Sequence, residues 1–130
     1  MFVTAPVITY LMIAFGGAVG ALSRYGVAHW VNQHWSSHFP LATLLVNVSG
    51  SCLMGVAFVM VNERMPSLEP YRPLIMVGFL GAFTTFSTFS LEIVSLIHTQ
   101  AWLSAVSYLL LSCFLGVLGL AVGIALARFF

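Results

Sequence analysis

The chain has 130 residues, of which 61% are hydrophobic and only 5% are charged, and its formal net charge is +1. Soluble domains carry roughly 25% charged residues, so this composition excludes an ordinary soluble protein and indicates one embedded in a membrane. Four dispersed arginines form no basic patch, so we expect no nucleic-acid partner.

Four apolar stretches are long enough to cross a bilayer, which requires about 20 helical residues. They are predicted at about residues 6–29, 41–61, 73–97 and 102–129, with prolines only at their ends or in the short loops between them. We therefore predict an all-α membrane protein, with residues 1–130 forming a single four-span domain. No basic residue precedes the first stretch, so we interpret it as a retained helix and not as a signal peptide.

Small residues recur at a spacing of four in three of these stretches. The pairs are Gly16 and Gly20, Ser51 and Gly55, and Gly119 and Gly123. This spacing lets helix backbones approach closely, so we predict that the pairs are packing surfaces. We interpret the two cysteines, Cys52 and Cys113, as small apolar side chains within helices. The sequence alone leaves a disulfide between them open.

The arginines bias the orientation of the chain only weakly. With four spans, both termini and the loop carrying Arg64 and Arg72 lie on one side, together with Arg128, whereas Arg24 is alone towards the other. The positive-inside rule uses such differences, and one this small permits insertion in both orientations. Because a four-helix bundle fills its own centre with side chains, we expect a pore to need two copies, meeting as an antiparallel homodimer of dual topology.

Polar residues recur at helical spacing in three of the four spans, whereas a helix facing lipid has no use for them. The predicted stripes are Thr43, Asn47 and Ser51; Gly78, Gly81, Thr85, Thr88 and Glu92, with Phe86 and Phe89 on the neighbouring face; and Ser104, Tyr108 and Ser112. A hydroxyl often bonds to its own helix, but the amide of Asn47 cannot be satisfied locally, so we predict a functional role or an interhelical hydrogen bond for it. Weak donors and the positive edges of phenyl rings suit a small anion that must bind and then leave.

Two charged residues lie towards the same membrane face as Asn47 and Tyr108. These are Arg24 and Glu92, each near a predicted helix end. We expect them to border a water-filled vestibule, where they pair with each other or extend towards the interface.

At these residues the chain resembles the Fluc (CrcB) family of bacterial fluoride channels. The resemblance covers the whole chain in order, including Gly16-Gly-Ala-Val-Gly-Ala-Leu-Ser-Arg24 and Thr43-Leu-Leu-Val-Asn47-Val-Ser-Gly50. Its most specific part is Gly78-x-x-Gly81-x-x-Thr-Thr-Phe-Ser-Thr-Phe-Ser-Leu-Glu92. Ala42 and Ala82 stand where the family more often has glycine, and Cys52 where it usually has phenylalanine; all three departures are conservative.

The resemblance implies passive, fluoride-selective export of cytoplasmic fluoride across the bacterial inner membrane. It implies two pores in an antiparallel homodimer and a third helix broken near its middle. The implied pore residues are Phe86, Phe89, Asn47, Thr85, Thr88, Tyr108 and Ser112, to which the polar stripe adds Thr43. Arg24 and Glu92 are the implied vestibule residues, and the backbone carbonyls of Gly81 and Thr84 would hold a structural Na⁺.

Two other functions are compatible with a small four-span protein. A proton-coupled exporter like the small multidrug transporters also has four spans and dual topology, but it needs an acid in the first helix, where this chain has glycines and Arg24. An intramembrane enzyme needs a nucleophile and base, or metal ligands, at depth. His34 and His38 have suitable spacing but fall in a predicted loop without a nearby carboxylate, so we expect no enzyme.

Overall fold

The computed structural model describes residues 4–130, and every regular element among them is helical. The helices are α1 (Thr4–His34), α2 (Leu41–Val59), α3 (Gly81–Phe83), α4 (Phe86–His98) and α5 (Trp102–Phe129). Within residues 4–130, four segments are long and apolar enough to cross a membrane, namely Pro6–His34, Leu41–Arg64, Pro73–His98 and Trp102–Phe129. The predicted all-α class with four spanning helices is therefore confirmed.

The first two spans are longer than their apolar stretches. α1 continues to His34, and α2 continues into a π-helical turn, Met60–Arg64. In the last turn of α1, His34 Nδ1 lies 2.8 Å from the carbonyl oxygen of Trp30, and Gln33 Nε2 lies 3.0 Å from His29 Nε2. Polar side chains that bond within a helix allow it to continue beyond the apolar region, which hydropathy alone does not reveal.

The third span consists of successive helical pieces. A 3₁₀ turn, Pro66–Tyr71, precedes a π-helical segment, Pro73–Leu80, which continues into α3. α3 ends at Phe83, and α4 begins only at Phe86. Between them Thr84 (φ −80°, ψ 157°) and Thr85 (φ −150°, ψ 125°) have extended backbones. Extended backbone within a membrane span must find hydrogen-bond partners outside its own helix.

Glycines on α1 bring it against the third span. A Cβ on Gly16 would overlap the carbonyl oxygen of Leu74, and one on Gly20 would overlap the carbonyl oxygen of Phe79. Gly78 faces back onto α1, where its Cβ would lie 2.8 Å from the carbonyl oxygen of Ile13. Only glycine fits these positions, so the packing role predicted for the Gly16 and Gly20 pair is confirmed.

A second set of glycines brings α2 against α5. A Cβ on Gly55 would overlap the carbonyl oxygen of Leu120, and one on Gly123 would overlap that of Cys52. Gly119 makes a less severe approach, with its Cβ 3.0 Å from the carbonyl oxygen of Val48. The packing role predicted for the Gly119 and Gly123 pair is also confirmed.

Two interactions fix the ends of this bundle. At one end Arg128 on α5 donates from Nε (2.9 Å) and from a terminal nitrogen (2.5 Å) to the carboxylate of Glu63, and Arg64 donates to the carbonyl of Arg128. Near the other end, α4 packs on α5 and α2 through a buried apolar cluster. Its buried members are Leu44, Phe89, Leu96, Ala105 and Tyr108.

Candidate functional site

Asn47 on α2 bonds to the interruption in the third span. Its Nδ2 donates to the carbonyl oxygen of Thr85 at 2.9 Å, and its Oδ1 accepts from the N–H of Thr85 at 2.8 Å. The side-chain amide therefore satisfies both backbone polar groups of a residue that has left the helix, which would otherwise be costly in an apolar interior. The interhelical hydrogen bond predicted for Asn47 is confirmed, and it leaves the second N–H of Nδ2 for another acceptor.

The side chain of Thr85 caps the amino end of α4. Its Oγ1 accepts from the N–H of Thr88 at 3.2 Å and donates to the Thr88 hydroxyl at 3.1 Å. This is an N-cap, in which a hydroxyl satisfies one of the free N–H groups of the first helical turn. The partial positive charge at the amino end of α4 is thus placed beside Asn47.

Phe86 and Phe89 have very different surroundings. Phe86 is 78% exposed, whereas Phe89 is only 5% exposed. Their ring centroids lie 5.5 Å apart, and Phe89 also meets Tyr108 edge-on at 5.2 Å. Phe89 is therefore held within the buried cluster, whereas the ring of Phe86 projects from the surface of the chain.

Two grooves flank Phe86. The larger groove, of about 560 Å³, runs along the helix interruption, and the smaller groove, of about 240 Å³, lies towards Phe89 and Ser112. Asn47, Ser51, Phe86, Gly116 and Val117 line both grooves. The buried hydroxyl of Ser112 has no hydrogen-bond partner among residues 4–130. A hydroxyl left unpaired beside a groove is available to whatever enters the groove.

The interruption also frees two carbonyl groups. In a continuous helix the N–H of Thr85 would donate to Gly81, and the N–H of Thr88 would donate to Thr84. Here the N–H of Thr85 donates to Asn47 and that of Thr88 to the Thr85 hydroxyl. Gly81 and Thr84 both line the larger groove. Their carbonyl oxygens have lost their regular helical donors and can accept from water or coordinate a cation.

The carboxylate of Glu92 is bound by two hydroxyls. Thr43 donates to Oε1 at 2.8 Å, and the fully buried Tyr108 donates to Oε2 at 2.7 Å. Of the two alternatives that the sequence left open for Arg24 and Glu92, the structure does not show their pairing, since within residues 4–130 the one ion pair joins Arg128 and Glu63. Hydroxyl donors from α2 and α5 reach Glu92 instead, because those helices pack beside α4.

Arg24 lines a separate pocket. This pocket has a volume of about 220 Å³, and its lining includes Arg24, Thr43, Thr85 and Thr88. The structure thus brings a guanidinium and three hydroxyl side chains together, with Thr43 linking them to Glu92.

One predicted stripe does not exist as a continuous face. Gly78 is buried against α1, whereas Gly81 is exposed and lines the larger groove. The physical reason is that a π-helical segment and an extended break interrupt the regular helical spacing on which the stripe depends. The second piece of the span carries the other three members of the stripe, Thr85, Thr88 and Glu92. Hydrogen bonds join Thr85 to Asn47, Thr88 to Thr85, and Glu92 to Thr43.

The lining of the grooves includes a serine and a cysteine that were absent from the predicted site. Ser51 and Cys113 line the smaller groove with Phe86, Phe89 and Ser112. A signal for Ser51 was present in the sequence, since it follows Thr43 and Asn47 at the same spacing. Cys113 gave no signal, because a lone cysteine in an apolar helix is normally a small packing residue.

Comparison with known proteins identifies relatives of the chain. Residues 11–124 match the family model described as CrcB-like protein, Camphor Resistance (CrcB). The chain is 49% identical over 116 residues to the fluoride-specific ion channel FluC of Hahella chejuensis, covering 89% of this chain and 91% of the relative. It is 46% identical over 122 residues to that of Saccharophagus degradans, with coverages of 93% and 90%. The corresponding Roseiflexus protein is 41% identical over 118 residues, with coverages of 91% and 95%.

Proposed function

The chain belongs to the CrcB family, and from this premise we propose that it is a fluoride channel, a multi-pass protein that lets fluoride cross a lipid bilayer. The family is a class of ion channels, so no chemical reaction is catalysed. The supporting observation within the structure is the grouping of Asn47, Phe86 and Ser112 around open grooves beside the helix interruption.

The chemistry of this group suits a small anion. The spare N–H of Asn47 and the unpaired hydroxyl of Ser112 are neutral donors, and the edge of the Phe86 ring carries positive partial charge. Neutral donors can replace part of the hydration shell of an anion without trapping it, which conduction requires. A lysine or arginine at this depth would hold the ion too tightly.

We propose that fluoride reaches these donors through the vestibule. Arg24 provides a positive charge at this mouth, and Thr88 provides a hydroxyl in the same pocket, which Thr43 also lines. The negative charge of Glu92 is balanced in part by its two hydroxyl donors, Thr43 and Tyr108. The path would then pass Thr85 and Phe89 to the grooves beside Phe86.

The proposed assembly is an antiparallel homodimer with two pores. Two features support it: the grooves beside Phe86 open onto the surface of the single chain, and Phe86 itself is 78% exposed. Polar groups at such a surface would meet lipid in a monomer, which is unfavourable. A second copy would cover them, and the weak arginine bias permits that copy to insert in the opposite orientation.

A Na⁺ ion at the centre of this dimer is a further part of the proposal. The carbonyl groups of Gly81 and Thr84 suit it, because hydrogen bonding at the interruption has removed their helical donors. Two copies would supply four such oxygens, and oxygen ligands are what hard cations prefer. The ion would be structural and would add a fixed positive charge near the pores. Equal fluoride flux and equal dimer stability after complete replacement of Na⁺ by a large organic cation would contradict this assignment.

Passive conduction is sufficient for export. A negative interior potential drives a monovalent anion outward by about 2.3 kcal/mol per 100 mV. We therefore propose the bacterial inner membrane as the location, where such a potential exists. The exporter alternative requires an acid in the first span, and residues 4–34 contain neither Asp nor Glu.

The experiment that tests this function compares two variants with the native protein in liposomes loaded with fluoride. Phe86→Ile and Phe89→Ile should each reduce fluoride release by at least tenfold, since isoleucine has no ring edge to offer the anion. Phe86→Ile is the cleaner variant, because the exposed ring contributes little packing to the fold. Native rates of release in both variants would show that the rings have no part in permeation.

A further inference from the structure

Ser51 on α2 occupies a distinctive place beside Phe86. It lines the larger groove along the helix interruption and also the smaller groove that leads to Ser112. Thr84 and Thr85 reach only the larger of these two grooves, and Ser112 only the smaller. Of the hydroxyl side chains that line these two grooves, Ser51 alone is common to both.

The hydroxyl of Ser51 is also free. Other serine hydroxyls of the described residues bond to their own helix: Ser49 Oγ donates to the carbonyl of Leu45 at 2.7 Å, and Ser90 Oγ donates to that of Phe86 at 2.9 Å. Among the residues that the structure describes, the Ser51 hydroxyl has no such partner. Because serine in a membrane helix normally bonds to its own backbone, a free hydroxyl at a groove is available to bind a ligand.

The helix opposite leaves space in front of this hydroxyl. At Gly55, Gly119 and Gly123, α2 and α5 are in backbone contact. At Gly116, one turn away, the nearest atom to an added Cβ would be Ser51 Oγ, at 3.9 Å. Helix packing therefore does not require glycine at 116, and the helices separate here so that the groove stays open.

We propose that Ser51 is an additional anion-binding residue of the permeation path, whose hydroxyl donates to fluoride as the ion passes between the two grooves. It would act with Ser112 from the facing helix, whose buried hydroxyl is likewise unpaired. Two neutral donors on opposite walls can share a small anion and hand it from one groove to the next. Gly116 keeps the space between them open. This inference rests on the proposed fluoride channel function.

The test uses the full-length protein in liposomes and measures initial fluoride release. Ser51→Ala removes one donor to a charged ligand and should slow release about tenfold. Ser51→Thr keeps the hydroxyl and should retain most of the native rate. The matched control is Ser49→Ala, which removes a hydroxyl of the same helix that is bonded to its own backbone. If Ser51→Ala does not fold, Ser51→Cys replaces it, because a thiol of similar shape is a much weaker donor.

The outcomes separate this inference from the function on which it rests. Slow release in Ser51→Ala (or Ser51→Cys), with near-native release in Ser51→Thr and Ser49→Ala, supports a donor role. Native release in Ser51→Ala overturns it, and so does equal slowing in Ser51→Ala and Ser51→Thr, which would indicate packing alone. Absence of fluoride release by the native protein would instead refute the proposed function itself.

Discussion

Replacing Asn47 with alanine should both destabilise the protein and abolish permeation. The variant loses two hydrogen bonds, at 2.8 and 2.9 Å, and leaves the N–H and C=O of Thr85 without partners. Interhelical hydrogen bonds in membranes contribute about 0.6–1.7 kcal/mol each, so the pair accounts for roughly 1–3 kcal/mol. A loss of about 2 kcal/mol lowers the ratio of folded to unfolded protein roughly 30-fold.

Denaturation in detergent micelles, followed by tryptophan fluorescence, measures this loss. The matched control is Asn62→Ala, because the amide of Asn62 donates at 2.7 Å to the carbonyl of Phe58 in its own exposed helix turn. That control should change stability by less than about 0.5 kcal/mol. Asn47→Asp should also be less stable than the native protein, since a carboxylate can accept from the N–H of Thr85 but cannot donate to its carbonyl. Equal stability of Asn47→Ala and Asn62→Ala would refute the reasoning that Asn47 holds the interruption.

Two further predictions concern the backbone. Gly123→Ala would place a methyl group against the carbonyl of Cys52 and should lower the unfolding free energy by about 1–3 kcal/mol. Gly26→Ala is the control and should not destabilise the protein, because no atom lies within 4 Å of the added Cβ. Thermal unfolding of both variants in detergent measures the difference, and a lower stability of Gly26→Ala would contradict the prediction. At Gln100, where φ is 62°, valine should be about 1–2 kcal/mol less stable than glycine, because a β-branched side chain is strained at positive φ. Equal melting temperatures for Gln100→Val and Gln100→Gly would show that the α4–α5 turn changes conformation without cost.

The overall fold followed from simple features of the sequence. The lengths of the apolar stretches and the positions of the prolines predicted four spans. Glycine spacing predicted the close contacts of α1 with the third span and of α5 with α2. The ends were less accurate, because polar turns such as the one at His34 are stabilised by bonds within the helix and leave no trace in hydropathy. Length and glycine pairs are local signals, which is why they could be recognised without a structure.

The site was less predictable, because its geometry depends on non-local contacts. Asn47 stood out as an amide that needed a partner, but nothing in the sequence identified both backbone groups of Thr85 as that partner. Because Pro73–Leu80 is π-helical, Gly78 and Gly81 do not lie on one face of the span as regular helical spacing predicts. For Glu92 the sequence left pairing with Arg24 or extension towards the interface open, and it did not indicate the hydroxyls of Thr43 and Tyr108, which bind the carboxylate. Each difference arises from tertiary contacts that helical periodicity does not encode.

A fluoride channel of the proposed kind conducts fluoride and discriminates against chloride. The most direct test is ion release from liposomes that contain the purified native protein in Na⁺ solution, with electrodes for each ion and an ionophore to balance charge. We predict rapid release of fluoride and no release of chloride above that of protein-free liposomes. Equal release of both ions, or no release from a sample shown to be folded, would contradict it.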